Sequence, residues 1–273
     1  MARFILSFRD KPVGGAVTNG VLTAGRPEDF LDMTRITFIT HGYNVKEGAG
    51  KSRLGQLAQR LSKFSRSAVV SVLWPGDNWM RGLAYPVKGK AADDTAHGLA
   101  RFIVQHKLHE KELNFISHSL GGRVVMETIK VLPNRIQINQ VCLLAAAVDD
   151  TCLYLRAQYA DELSHIRRVA VLASKRDKVL ARAYPLGDLT HFFQDFSNAP
   201  GLALGWHGPR PQSFEKVYHV QIDDLHPNPK ADHGHYLPDS TASDFVQKKQ
   251  AAAVRFADEV ITGQDEPRYV LRR

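Results

Sequence analysis

The stretch Leu113-Asn114-Phe115-Ile116-Ser117-His118-Ser119-Leu120-Gly121-Gly122 decides how this 273-residue chain is read. It predicts a buried strand, a sharp turn and the opening of a helix. Ser119 stands at the turn, with a small residue two places to either side, Ser117 and Gly121. That spacing is close to the Gly-x-Ser-x-Gly nucleophile elbow. In such a turn the strained backbone lifts the serine hydroxyl clear of the sheet. The crossing of strand and helix beneath it has no room for large side chains. The helix N-terminus points at the same spot, where a developing anion is stabilised. Ser117 departs from the pattern: it is small enough to fit but lacks the backbone freedom of glycine. An ordinary strand–turn–helix with a polar corner is the plainer alternative.

Outward from this turn, strands alternate with helices. Phe4–Phe8, Arg35–Thr40, Ala68–Trp74, Ile138–Val148, Ile166–Ala173 and Lys216–Ile222 read as strands. Several are apolar throughout, the mark of strands covered on both faces. Residues 52–65, 94–111, 121–132, 152–164 and 241–261 read as helices, the first from Leu54, Leu57, Ala58 and Leu61 at helical spacing. Pro133 closes the helix after the elbow. Residues 11–30 read as loop, with Asn19-Gly20 a turn signal. Residues 75–93 and 184–214 read as irregular, the second rich in aromatics including Phe192, Phe193 and Phe196. The expected fold is α/β: a mostly parallel central sheet with helices on both faces, in a single domain spanning 1–273.

Composition supports a globular chain, 44% hydrophobic and 23% charged. No apolar run is long enough to span a bilayer. The N-terminal apolar core lies between Arg3 and Arg9, too short for a signal peptide, so a cytoplasmic location is expected. Two cysteines, Cys142 and Cys152, are too few for a disulfide framework. The net charge of +8 is spread along the chain without a Lys/Arg run, so no nucleic-acid partner is expected. The oligomeric state is left open.

The order of motifs resembles the alpha/beta-hydrolase superfamily. His41-Gly42-Tyr43-Asn44-Val45, Trp74-Pro75-Gly76 and Ser117-His118-Ser119-Leu120-Gly121-Gly122 are together similar to a poorly characterised bacterial esterase-like family of that fold. The resemblance runs from about residue 35 to the final helix. It implies a serine hydrolase acting on a small-molecule ester or lipid, without cofactor or metal. Ser119 would be the nucleophile, and the chain order Ser, acid, His places the base late. His233, in His233-Gly234-His235-Tyr236, is preferred because similar hydrolases often read His-x-x-Tyr there; His235 is the fallback. Asp177, just after strand 166–173, is the preferred acid, with Asp149 and Asp150 as rivals. The backbone amides of Leu120 and Tyr43 would form the oxyanion hole. Phe192, Phe193 and Phe196 either line an acyl pocket or pack their loop down.

Other motifs carry less. Gly48-Ala49-Gly50-Lys51-Ser52 imitates the end of a phosphate-binding loop, but Val45 stands where the first glycine belongs. His226, Asp232, His233 and His235 match no common zinc spacing. The rival function is a non-catalytic binding or scaffold protein on a hydrolase fold.

Overall fold

The computed structural model describes residues 1–77, 85–134, 136–154, 157–182, 202–210, 216–222 and 232–263, with the side chains of 85–88 left aside. Among these, eight strands form one sheet: β1 (Ala2–Arg9), β2 (Val17–Ala24), β3 (Arg35–Thr40), β4 (Ser67–Leu73), β5 (Glu112–His118), β6 (Ile138–Leu144), β7 (Ile166–Ala173) and β8 (Val217–Gln221). Their order is β2-β1-β4-β3-β5-β6-β7-β8. Only β1 and β2 pair antiparallel; every other pairing is parallel. Alternate residues divide between two cores. Phe38, Val70, Phe115, Val141 and Val169 face one; Ile39, Val69, Ile116, Cys142 and Ala170 face the other. Burial on both faces is why these strands read as unbroken apolar runs.

Helices α2 (Tyr85–Gln105) and α3 (Gly121–Val131) bring Leu99, Phe102, Ile103, Val125, Met126 and Ile129 to the first core. Helices α1 (Glu47–Arg60) and α4 (Asp244–Thr262) bring Leu54, Leu57, Ala253, Phe256 and Ala257 to the second. The chain passes from β3 left to β4, then back across to β5. That reversal opens a crevice at the carboxyl ends of β3 and β5, where open parallel sheets bind ligands. Among the described residues no helix is long and apolar enough to cross a membrane.

Three readings of the sequence are corrected. Asn19-Gly20 is not a turn but the middle of β2; the chain turns earlier, at Gly14 and Gly15, both with positive φ. Gly20 is there because the Phe8 ring occupies the space a side chain would need, 2.6 Å from a notional Cβ. Residues 85–93 are helical rather than irregular, with Pro86 in the first turn, where a missing N–H costs nothing. Residues 152–164 are not an α-helix in their described part: turns lead to a 3-10 segment, Asp161–His165. The hydrogen bond from Tyr159 N to Cys152 O closes a loop there, with Cys152, Leu153 and Tyr159 buried. The phosphate-loop look-alike lies within α1, where Lys51 pairs with Glu47 and Gly50 lets the helix approach His41 and Leu73.

Candidate active site

β5 ends at His118, and the chain turns at once into α3 through Ser119, held at φ +54°. Three main-chain bonds clamp this conformation: Ser119 N donates to Leu144 O (3.0 Å), while its carbonyl accepts from Gly122 N (2.9 Å) and Ala147 N (3.0 Å). Side chains would jam the crossing. A Cβ on Gly121 would stand 2.6 Å from His41 O, and one on Gly42 2.6 Å from Ser119 Cβ. Ser117 fits in place of the first glycine of the motif, fully buried, with its Oγ unpartnered among the described residues.

His233 opens a one-turn 3-10 segment ahead of α4, braced by its neighbours. Asp232 accepts from His233 N (2.8 Å), and Asp232 N donates to His235 Nδ1 (2.8 Å). From there the imidazole reaches Ser119 Oγ with Nε2 (2.8 Å) and Asp177 Oδ2 with Nδ1 (2.7 Å). Asp177 follows β7 and is fully buried. Its other oxygen accepts from Val179 N (3.0 Å) and Leu180 N (2.9 Å), which fixes the carboxylate. No hydrogen bond joins His235 to Ser119 or Asp177 among the described residues; it braces the turn instead. The rival acids are engaged elsewhere. Asp149 accepts from Thr151 N and Oγ1 (2.8 and 2.5 Å), and buried Asp150 accepts from Arg210 Nη2 (2.8 Å) and forms an ion pair with Arg210 Nε (2.5 Å), with His207 beside it. Burial raises the Asp150 carboxyl, against the pull of Arg210.

Tyr43 follows Gly42 in the loop after β3, and Leu120 follows Ser119. Gly42 brings the main chain after β3 against the serine, and Leu120 is the N-cap residue of α3. The first of these loops is held by a buried network. His41 Nδ1 donates to Gly42 O (2.9 Å) and Nε2 accepts from Trp74 N (3.4 Å), which fixes a neutral ring. Burial lowers its pKa to about 4. Trp74 Nε1 returns a bond to His41 O (2.8 Å), and the two rings stack at 5.8 Å.

Nothing in the sequence signals what ties these loops together. Buried Arg9, at the end of β1, forms an ion pair with buried Asp77 and donates to Trp74 O (2.7 Å), Val45 O (3.4 Å) and Pro12 O (3.2 Å). Asp77 also accepts from Gly14 N (3.0 Å). No spacing pattern marks such a pair.

Part of the stretch 184–214 lies beside the elbow. Within residues 202–210, Gly205 N bonds Ala146 O (2.8 Å) and Leu204 N bonds Val148 O (2.8 Å). A Cβ on Gly205 would fall 2.1 Å from the Ala145 carbonyl carbon, so only glycine allows this approach. Phe192, Phe193, Phe196 and His226 lie outside the described residues. Cys142 and Cys152 are free and buried, and burial pushes both thiols up, away from reactivity.

A parallel sheet sandwiched by helices, with a serine on the strand-to-helix turn and a late histidine against it, defines an alpha/beta hydrolase. Residues 30–188, over half of the chain, match the family described as alpha/beta hydrolase of unknown function (DUF900), and the chain belongs to that family. No curated protein matches the sequence. Among solved structures it is similar to the ydeN gene product from B. subtilis, with 18% identity, a TM-score of 0.42, and 81% of this chain and 98% of that chain covered. It is also similar to a thermophilic esterase of Thermogutta terrifontis with propionate bound, with 14% identity, a TM-score of 0.44, and 88% and 87% covered.

Proposed function

We propose that this chain is a serine hydrolase of carboxylic esters, with Ser119 as nucleophile, His233 as base and Asp177 as the partner of the base. One observation carries the reading: the continuous path from Ser119 Oγ to His233 Nε2 (2.8 Å) and from His233 Nδ1 to Asp177 Oδ2 (2.7 Å). A carboxylate accepts, so Nδ1 carries the proton and Nε2 offers a lone pair to the serine hydroxyl. In the first step Oγ bonds the ester carbonyl carbon while its proton passes to Nε2. Asp177 holds the ring and stabilises the imidazolium. The oxyanion rests on the amides of Leu120, at the N-terminus of α3, and of Tyr43, in the loop after β3. The imidazolium then gives its proton to the departing alcohol as the C–O bond breaks. Water repeats the sequence on the acyl-enzyme, releasing the acid and restoring Ser119.

The substrate class is a small-molecule ester or lipid. Acyl preference belongs to the stretches 75–93 and 184–214, since 202–210 packs beside the elbow. The test is labelling at Ser119 by a fluorophosphonate probe, together with p-nitrophenyl ester turnover. Wild type should label and turn over. Ser119→Ala should do neither above background, and Asp177→Asn should lower kcat by about 10⁴-fold. Equal turnover by wild type and Ser119→Ala would favour the non-catalytic binding protein.

A further inference from the structure

We infer that His118 is a positioning residue for the base, clasping the main chain of His233 to the turn that carries the nucleophile. The inference rests on the hydrolase reading above and extends it to a residue outside the Ser–His–Asp path. His118 Nε2 lies 2.9 Å from His233 O. A carbonyl only accepts, so Nε2 carries the proton and donates. His118 and Ser119 are neighbours in the chain, and both reach the same residue. One holds its backbone, the other meets its ring at 2.8 Å. Two anchors on one rigid turn fix both the place and the direction of the imidazole. Without the His118 bond, the elbow would hold His233 by its ring alone.

The surroundings of His118 fit this role better than plain packing. Its ring is tilted against His233, with centroids 4.9 Å apart, and stacked against Tyr236 at 5.8 Å. Only 8% of the residue is exposed. Nδ1 is buried with no hydrogen-bond partner among the described residues. A buried acceptor without a donor costs stability. A phenyl ring would fill this slot without that cost, so the bond at the other nitrogen is what the imidazole adds. Burial and the neighbouring His233 hold the pKa of His118 well below the usual histidine range, so the ring stays neutral beside the cation that forms on His233. Nε2 points at a carbonyl and not at Ser119, which separates positioning from proton transfer. Tyr236, the residue whose spacing singled out His233 in the sequence, proves to be the support of His118.

The test compares His118→Gln, whose amide can donate from nearly the same place, with His118→Phe, which keeps the ring and loses the donor. Turnover of p-nitrophenyl butyrate and the rate of fluorophosphonate labelling are read on the purified full chain. His118→Phe should lose about 30- to 100-fold in kcat with KM within about twofold, since small misplacements of a catalytic group cost this much. His118→Gln should return to within about fivefold of wild type. Wild-type kcat in His118→Phe, or equal loss in both variants, overturns the inference. If His118→Phe does not fold, His118→Met supplies the same contrast. An inert wild type removes the hydrolase reading and this inference with it; an active wild type with an unaffected His118→Phe removes the inference alone.

Discussion

Ser119 holds φ at +54°, a region where an L-residue is strained by about 1–3 kcal/mol. The strain is maintained by the three main-chain bonds around it, and it aims Oγ at His233. Comparing two inactive variants separates strain from chemistry. Ser119→Ala and Ser119→Gly both lose the hydroxyl, but only glycine enters this region freely. Ser119→Gly should therefore be more stable than Ser119→Ala by about 1 kcal/mol in urea unfolding, whereas elsewhere in a structured chain glycine is the less stable of the two. If alanine proved the more stable, the turn would hold no strain. The proposed triad was legible at this scale because its chemistry demands a serine on a tight turn, an acid after a strand and a late histidine. His233 and His235 differ in position: the first reaches Ser119, the second braces the same turn.

Among the elements, the loops after β1, β3 and β4 act as one unit because of Arg9 and Asp77. Both side chains are buried, and the guanidinium reaches carbonyls of the loops after all three strands. Arg9→Met would leave the Asp77 carboxylate buried without its cation. The expected cost is about 3–5 kcal/mol, measured by urea unfolding. In folded protein, ester turnover should fall as well, since Val45 and Trp74 flank the loop of Gly42 and Tyr43. Unchanged stability in Arg9→Met would mean that the pair contributes nothing. This pair was illegible because its members are 68 residues apart and each alone resembles a loop charge. The central strands were legible, since burial on both faces writes itself as an apolar run. β2 was not: contact between Gly20 and Phe8 overrides the local turn preference of Asn19-Gly20. Residues 152–164 failed for a related reason. Cys152, Leu153 and Tyr159 are buried, but Tyr159 turns inward to bond buried Glu127 (2.9 Å), and the chain follows it rather than a helical repeat.

For the whole molecule, two buried neutral histidines beside the elbow set an acid limit. His41 has its pKa lowered to about 4 by burial, and His118 shifts in the same direction. In the unfolded chain both would titrate near about 6.5. As pH falls through that value the unfolded state takes up protons that the folded state refuses. Stability is therefore complete above about pH 6.5 and declines towards pH 4, by about 3 kcal/mol for His41 alone. Asp150 works the other way: its raised carboxyl binds a proton earlier in the fold than in the unfolded chain, which favours the fold as pH drops. The excess of 36 basic over 28 acidic residues adds repulsion once carboxylates are neutralised. His41→Asn tests the assignment, because its amide can still donate to Gly42 O while carrying no titratable proton. At pH 7 the variant should be less stable than wild type, through lost packing on Trp74. As pH falls to 4, the wild-type advantage should shrink by about 3 kcal/mol in paired urea melts. An advantage that stays constant across that range would mean that His41 does not set the acid limit.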